Sequence, residues 1–145
     1  GPVSVEPPAK GNTGLKFTYA SGVEMFHGGP DDCTFEGTKG TIRVGRGQLK
    51  SEPSEILTTP VGKDDLRVYP SNNHLRNWLD CVRSRKEPIC TAETGHRTAS
   101  VCHLANIGYK LRRKLTWDPK KERFVNDPEA NALTTRKARK GWEYA

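Results

Sequence analysis

The sequence predicts an α+β fold: an open, mostly antiparallel sheet with helices packed on one face. Two observations carry this reading. Short alternating segments with brief connections fill the first 68 residues or so, the pattern of a meandering antiparallel sheet. Two amphipathic helical stretches follow, suited to cover a sheet that is apolar on one side. Residues 1–135 are expected to form one domain, with strands in about 1–68 and helices in about 71–135. Residues 136–145 form a basic tail.

Each element has a local cause. Val3 to Glu6 is a short extended piece ended by Pro7-Pro8. From Leu15 to Ala20 the residues alternate, with Leu15, Phe17 and Tyr19 on one side and Lys16 and Thr18 on the other. Ser21-Gly22 turns the chain, and Val23 to His27 returns as the second arm of a hairpin. Cys33 to Glu36 and Thr41 to Val44 flank Gly37-Thr38-Lys39-Gly40, a second hairpin with glycine at both ends of its turn. Gly45-Arg46-Gly47 allows a bend before Gln48 to Ser51, and residues 52–66, rich in Pro, Ser and Thr, read as irregular.

Helical periodicity takes over after Pro70-Ser71, which supplies a stop and an N-cap. Leu75, Trp78, Leu79 and Val82 make one apolar stripe at i, i+3, i+4, i+7. Arg83, Arg85 and Lys86 close that helix, and Pro88 prevents its continuation. Thr91 can cap the next helix, whose buried face is Val101, Leu104, Ala105, Gly108 and Leu111; Gly108 permits a close approach. Lys110, Arg112, Arg113 and Lys114 end it, where cations offset the helix dipole. Leu115 to Trp117 is extended, Asp118-Pro119 turns, and Asp127 with Pro128 starts a third helix through Leu133.

At 145 residues and 33% apolar content the chain can support a modest core. No run of about 18 apolar residues is present, so no membrane span is expected. The opening GPVSVEPPAK lacks the charged and apolar regions of a signal peptide, and the missing initiator Met suggests a piece of a longer or processed chain. The net charge of +7 permits nucleic-acid binding without establishing it, and nucleic acid is not the expected partner. The RKARK run, Arg136 to Lys140, is most simply a solvated tail. Cys33, Cys81, Cys90 and Cys102 lack CxxC or zinc-finger spacing; Cys81 and Cys102 fall at apolar helical positions and are expected to be small buried hydrophobes. A reduced, cytoplasmic setting is the default, although an even count keeps disulfides open.

His96 and Arg97 are the candidate binding residues. Both lie near a helix N-terminus, where the dipole and free amides favour anions, and Arg97 could hold a hydroxyl, carboxylate or phosphate. The competing structural reading pairs Arg97 with Glu93, four residues earlier, and leaves His96 exposed or capped. His103 lies two turns beyond His96, and that spacing argues against a shared metal. His27 and His74 have no obvious titrating partner, and the acid pairs Asp31-Asp32 and Asp64-Asp65 read as solvated loops. Trp117 is expected in the core or at its rim, whereas Trp142 and Tyr144 lie in the tail. There is no GxGxxG after a strand, no P-loop, no GxSxG and no HExxH, so no catalytic, cofactor-binding or metal residue is assigned.

Longer segments carry a resemblance. NNHLRNWLDCVRSRKEPI (72–89), ETGHRTASVCHLANIGYKLRRKLTWDP (93–119) and DPEAN (127–131) resemble the C-terminal end of the glucose–fructose oxidoreductase / inositol dehydrogenase / MocA family. TYASGVEM (18–25) and TFEGTKGTIRVGRG (34–47) are similar to strands of the same domain. The resemblance implies a substrate-binding and oligomerisation domain of a NAD- or NADP-dependent sugar or polyol dehydrogenase, forming a homo-oligomer through its open sheet face. The family's catalytic Glu-Lys-Pro lysine and Asp-x-x-x-His pair have no counterpart here; Lys86-Glu87-Pro88 runs in the reverse order. The resemblance therefore implies no cofactor in this chain and no activity from it alone, with His96 and Arg97 near a substrate cleft. The alternative is a non-enzymatic carbohydrate- or polyanion-binding or assembly module.

Overall fold

The structure, a computed structural model, describes residues 1–29, 33–67 and 69–142. Asp31-Asp32 and Tyr144, and position 68, at which the strand region is expected to end, lie outside the described residues. In chain order the strands β1 (Ser4–Glu6), β2 (Leu15–Thr18), β3 (Glu24–His27), β4 (Cys33–Gly37), β5 (Gly40–Gly45) and β6 (Gln48–Glu52) come first. Helices α1 (Glu55–Thr58), α2 (His74–Ser84) and α3 (Ala92–Leu111) follow, then β7 (Leu115–Asp118), β8 (Arg123–Phe124) and α4 (Pro128–Ala132). The α+β class with antiparallel sheets and helices holds. The chain divides into two compact units, Gly1–Gly28 with Glu93–Ala145, and Gly29–Ala92.

The first unit holds a five-stranded sheet in the order β3-β2-β1-β7-β8, with each neighbouring pair antiparallel. Val5 sits opposite Phe17 on one side and Leu115 on the other, so alternation puts these side chains on one face. Leu15, Phe17, Leu115 and Phe124 are fully buried there, and Leu104, Ala105 and Ile107 of α3 cover them. Gly108 is where helix and strands come closest. A Cβ at that position would lie 2.9 Å from Val5 Cγ1 and 3.0 Å from Leu15 Cδ1. Trp117 joins the core edge-on to Phe124, with centroids 4.9 Å apart, as its apolar strand position suggests.

Two features of this unit depart from the sequence reading. The six N-terminal strands do not share one sheet. β1 pairs with β7, which lies more than a hundred residues later, and a two-residue strand, β8, extends the edge. The basic end of α3 does more than offset a dipole. Arg112 takes a left-handed C-terminal position (φ 54°) and donates to the Gly11 carbonyl and, at 2.6 Å, to Asn12 Oδ1. Arg113 clasps Asp127 and donates to Glu129 at 2.8 Å, joining the end of α3 to the start of α4. Asp127 also caps α4 by accepting from the Ala130 amide at 3.0 Å. Arg113 is the first cause, and the Ala130 amide the second, of a carboxyl held down at about 2.

The second unit holds a three-stranded antiparallel meander, β4-β5-β6. The rows Cys33–Val44–Leu49 and Phe35–Ile42–Ser51 share one face, and Thr34, Arg43 and Lys50 share the other. Gly40 closes the first hairpin at φ 139°, where a side chain would run into the Glu52 carbonyl. Within the stretch read as irregular, α1 forms one short turn after Pro53. Helix α2 starts later than the Ser71 expectation. Its cap is Asn73, whose side chain accepts from the Arg76 amide at 2.9 Å. It ends in a left-handed Arg85, before Pro88. Its apolar stripe is regular but open, with Leu75 74% and Trp78 56% exposed. Helical period shows that a face wants covering, not what covers it. Cys81 is half-buried and Cys102 exposed, contrary to the expectation of buried hydrophobes: Cys81 lies on a helix that buries no residue, and Cys102 points away from the buried face of α3. All four cysteines are free thiols.

Candidate functional site

The first turns of α3 and the turn between β7 and β8 build the site. Asp118 starts that turn by accepting from the Lys120 and Lys121 amides at 2.9 and 3.0 Å, and these bonds, Lys121 first, hold its carboxyl below the usual range. The turn closes on Glu122, a non-glycine residue in the left-handed region (φ 51°). This conformation brings its carboxylate to α3. His96 Nε2 lies 2.7 Å from Glu122 Oε1, and an Arg97 terminal nitrogen donates to the same oxygen at 2.8 Å. Arg97 Nε donates to Glu93 Oε1 at 2.6 Å, and the terminal nitrogen that meets Glu122 also donates to the Pro119 carbonyl at 3.1 Å.

Both parts of the sequence reading are therefore present in Arg97. Its i,i+4 pair with Glu93 forms, and it also binds an acid 25 residues away. These carboxylates raise the Arg97 pKa, with the Glu93 hydrogen bond the main cause. Glu122 is held below the ordinary carboxylate range, chiefly by the His96 hydrogen bond and then by the charges of His96 and Arg97. An ionised Glu122 can only accept, so the facing His96 Nε2 carries a proton, and in the neutral imidazole Nδ1 is then the acceptor. The arrangement can orient an imidazole toward a hydroxyl donor. Sequence reasoning missed Glu122. Only the turn signal Asp118-Pro119 lay near it, and that signal does not say which helix the turn touches.

His96 and Glu122 lie at the edge of a groove of about 950 Å³, floored by α3 and walled by Trp117 and residues 133–136. Its size is typical of small-molecule sites. His103 lines it too, two turns beyond His96, while Arg97 stands behind Glu122 and is not among the lining residues. Among the described residues no three His, Cys, Asp or Glu side chains are placed to hold a metal. His27, read as lacking a titrating partner, lies away from this groove with its Nδ1 2.8 Å from the Tyr109 hydroxyl. Asp65 accepts from the Gly62 amide in its loop, and Trp142 is exposed.

The residues present do not fit a nicotinamide dinucleotide. Such a cofactor needs a glycine-rich turn from a parallel strand into a helix N-terminus. Both sheets are antiparallel, and α2 and α3 follow irregular segments. Among the described residues no helix is long and apolar enough to cross a membrane.

These features define an α+β fold with a groove along α3 and no nucleotide cradle among its described residues. A family model described as the oxidoreductase family, C-terminal alpha/beta domain, matches residues 10–144. The chain belongs to this family, the glucose–fructose oxidoreductase / inositol dehydrogenase / MocA oxidoreductases, as their C-terminal domain. No curated protein and no solved structure matches it.

Proposed function

We propose that the chain is the substrate-side domain of a NAD- or NADP-dependent sugar or polyol oxidoreductase of the cytoplasm. The groove along α3 holds the substrate, with His96 presenting an acceptor to a sugar hydroxyl and Arg97 fixing Glu122 behind it. The observation that carries this reading is the His96–Glu122–Arg97 cluster beside a groove of about 950 Å³ in a domain of this family. The open sheet face serves homo-oligomer formation. Hydride transfer needs a nucleotide-binding partner domain, so these 145 residues alone bind no NAD and reduce none.

Calorimetry tests the two halves separately. The chain should take up a sugar or polyol and release it when His96→Gln is introduced, and it should give no heat with NAD. Micromolar NAD binding would overturn the division of labour, and sugar binding indifferent to His96→Gln would overturn the site. The exposed run of Arg136, Lys137, Arg139 and Lys140 favours a second reading, a polyanion-binding module. That reading requires DNA or heparin retention that weakens steeply with salt.

A further inference from the structure

The cations around this groove are not equivalent. Around α3, Arg97 binds Glu93 and Glu122, Arg112 binds Gly11 and Asn12, Arg113 binds Asp127 and Glu129, and Lys114 lies 3.5 Å from Glu6. Lys110 and Arg136 line the groove from two separate segments, and neither has an acceptor among the described residues. His103, also in the lining, has none either. The single carboxylate in the lining is Glu122, whose Oε1 is already shared by His96 and Arg97. The groove thus carries unpaired positive donors with no free protein acid to meet them. Ser100, Asn106 and Thr134 add neutral hydrogen-bonding groups beside the apolar Ile107 and Leu133.

Such a lining suits a ligand with hydroxyls, a partly apolar body and a negative charge. An anion between Lys110 and Arg136 would turn two like charges into charge-assisted hydrogen bonds. Resting on the substrate-site reading above, we propose that this groove is selective for an anionic sugar, a ring bearing a carboxylate or a phosphate, with Lys110 and Arg136 holding the charged group. Lys110 lies on α3 beyond His96 by roughly 21 Å along the helix axis, with His103 midway, so the charged group sits at the Lys110 end of the groove and the ring on its His103 side.

The experiment compares glucose, glucuronate, glucose 6-phosphate and inorganic phosphate by calorimetry on the 145-residue chain, with amide shifts on α3 locating each ligand. Glucuronate or glucose 6-phosphate should bind roughly fivefold or more tightly than glucose, the scale of one half-exposed charge-assisted bond. That advantage should be lost in the Lys110→Met/Arg136→Gln double variant and kept in Lys121→Met, whose lysine lies in the exposed β7–β8 turn. Either single variant gives the same reading if the double variant does not fold. Equal binding of glucose and the anionic sugars overturns the proposal, as does an advantage that survives the double variant. Inorganic phosphate binding as tightly as glucose 6-phosphate overturns it too, because the ring would then contribute nothing. Glucose binding that is sensitive to His96→Gln but indifferent to sugar charge would sink this proposal and leave the substrate-site reading standing.

Discussion

Residues 1–28 and 93–142 surround a core of ten buried hydrophobic side chains, whereas residues 29–92 bury none among those described. Composition does not explain the contrast, because both regions carry regular apolar patterns. Phe35, Ile42, Val44 and Leu49 line one face of the second unit's sheet as cleanly as Val5, Phe17 and Leu115 line one face of the first. What differs is the range of the pairing. In the first unit an N-terminal strand meets a strand and a helix from the far end of the chain, and each covers the other. In the second unit the meander is local, and its apolar face stays half open. The lesson is that an amphipathic pattern creates a demand for burial, and contacts distant in sequence meet it.

Truncation of the core should sharpen this contrast most. Phe124→Ala, at a fully buried position, should cost about 3–5 kcal/mol in urea unfolding. Phe35→Ala, at a side chain 59% exposed, should cost less than about 1 kcal/mol. Similar costs at the two positions would mean that the units do not differ in packing. Gly108→Val should come next. Its added atoms meet Val5 and Leu15, and overpacking of this kind costs about 1–3 kcal/mol. Amide exchange should report the damage in β1 and β2 and leave β4 to β6 unchanged; uniform loss of protection would contradict the assigned helix–strand contact.

Acid titration probes the clasp between α3 and α4. The Asp127 carboxyl is held down at about 2, below its ordinary value of 3.8. A depressed folded-state pKa means that its stabilisation is complete above the unfolded value, about 4, and is lost as pH falls toward 2. Asp127→Asn should therefore flatten the pH dependence of stability between those values, and an unchanged slope would show that the clasp is not coupled to folding. The smallest effect is expected on α2. Trp78→Gln should move the melting midpoint little, because the ring is 56% exposed, while reducing binding of a hydrophobic dye. A large drop in melting temperature would instead reveal that the stripe is covered.

Much of the site was legible in the residues themselves. The Glu93–Arg97 spacing forecast the ion pair that forms, and Gly108 forecast the close approach of α3 to the sheet. Glu122 was not legible. It reaches His96 only because β7 pairs beside β1, under α3, and because the turn after it adopts a left-handed residue. The Lys110–Arg136 lining was hidden for the same reason, since nothing in the order of residues brings those two segments to one groove.

Local chemistry was enough to place most strands, the caps at Asp127 and the end of α2 before Pro88, since alternation, capping and proline geometry act over a few residues. Family membership was legible as well, because the resemblance runs through long segments, 72–89 and 93–119, and the family model matches residues 10–144. The division of six strands between two sheets, the exposure of Cys102 and the meeting of His96 with Glu122 were settled by the folded chain. Each depends on which surfaces find each other across tens of residues, and local periodicity carries no information about that choice.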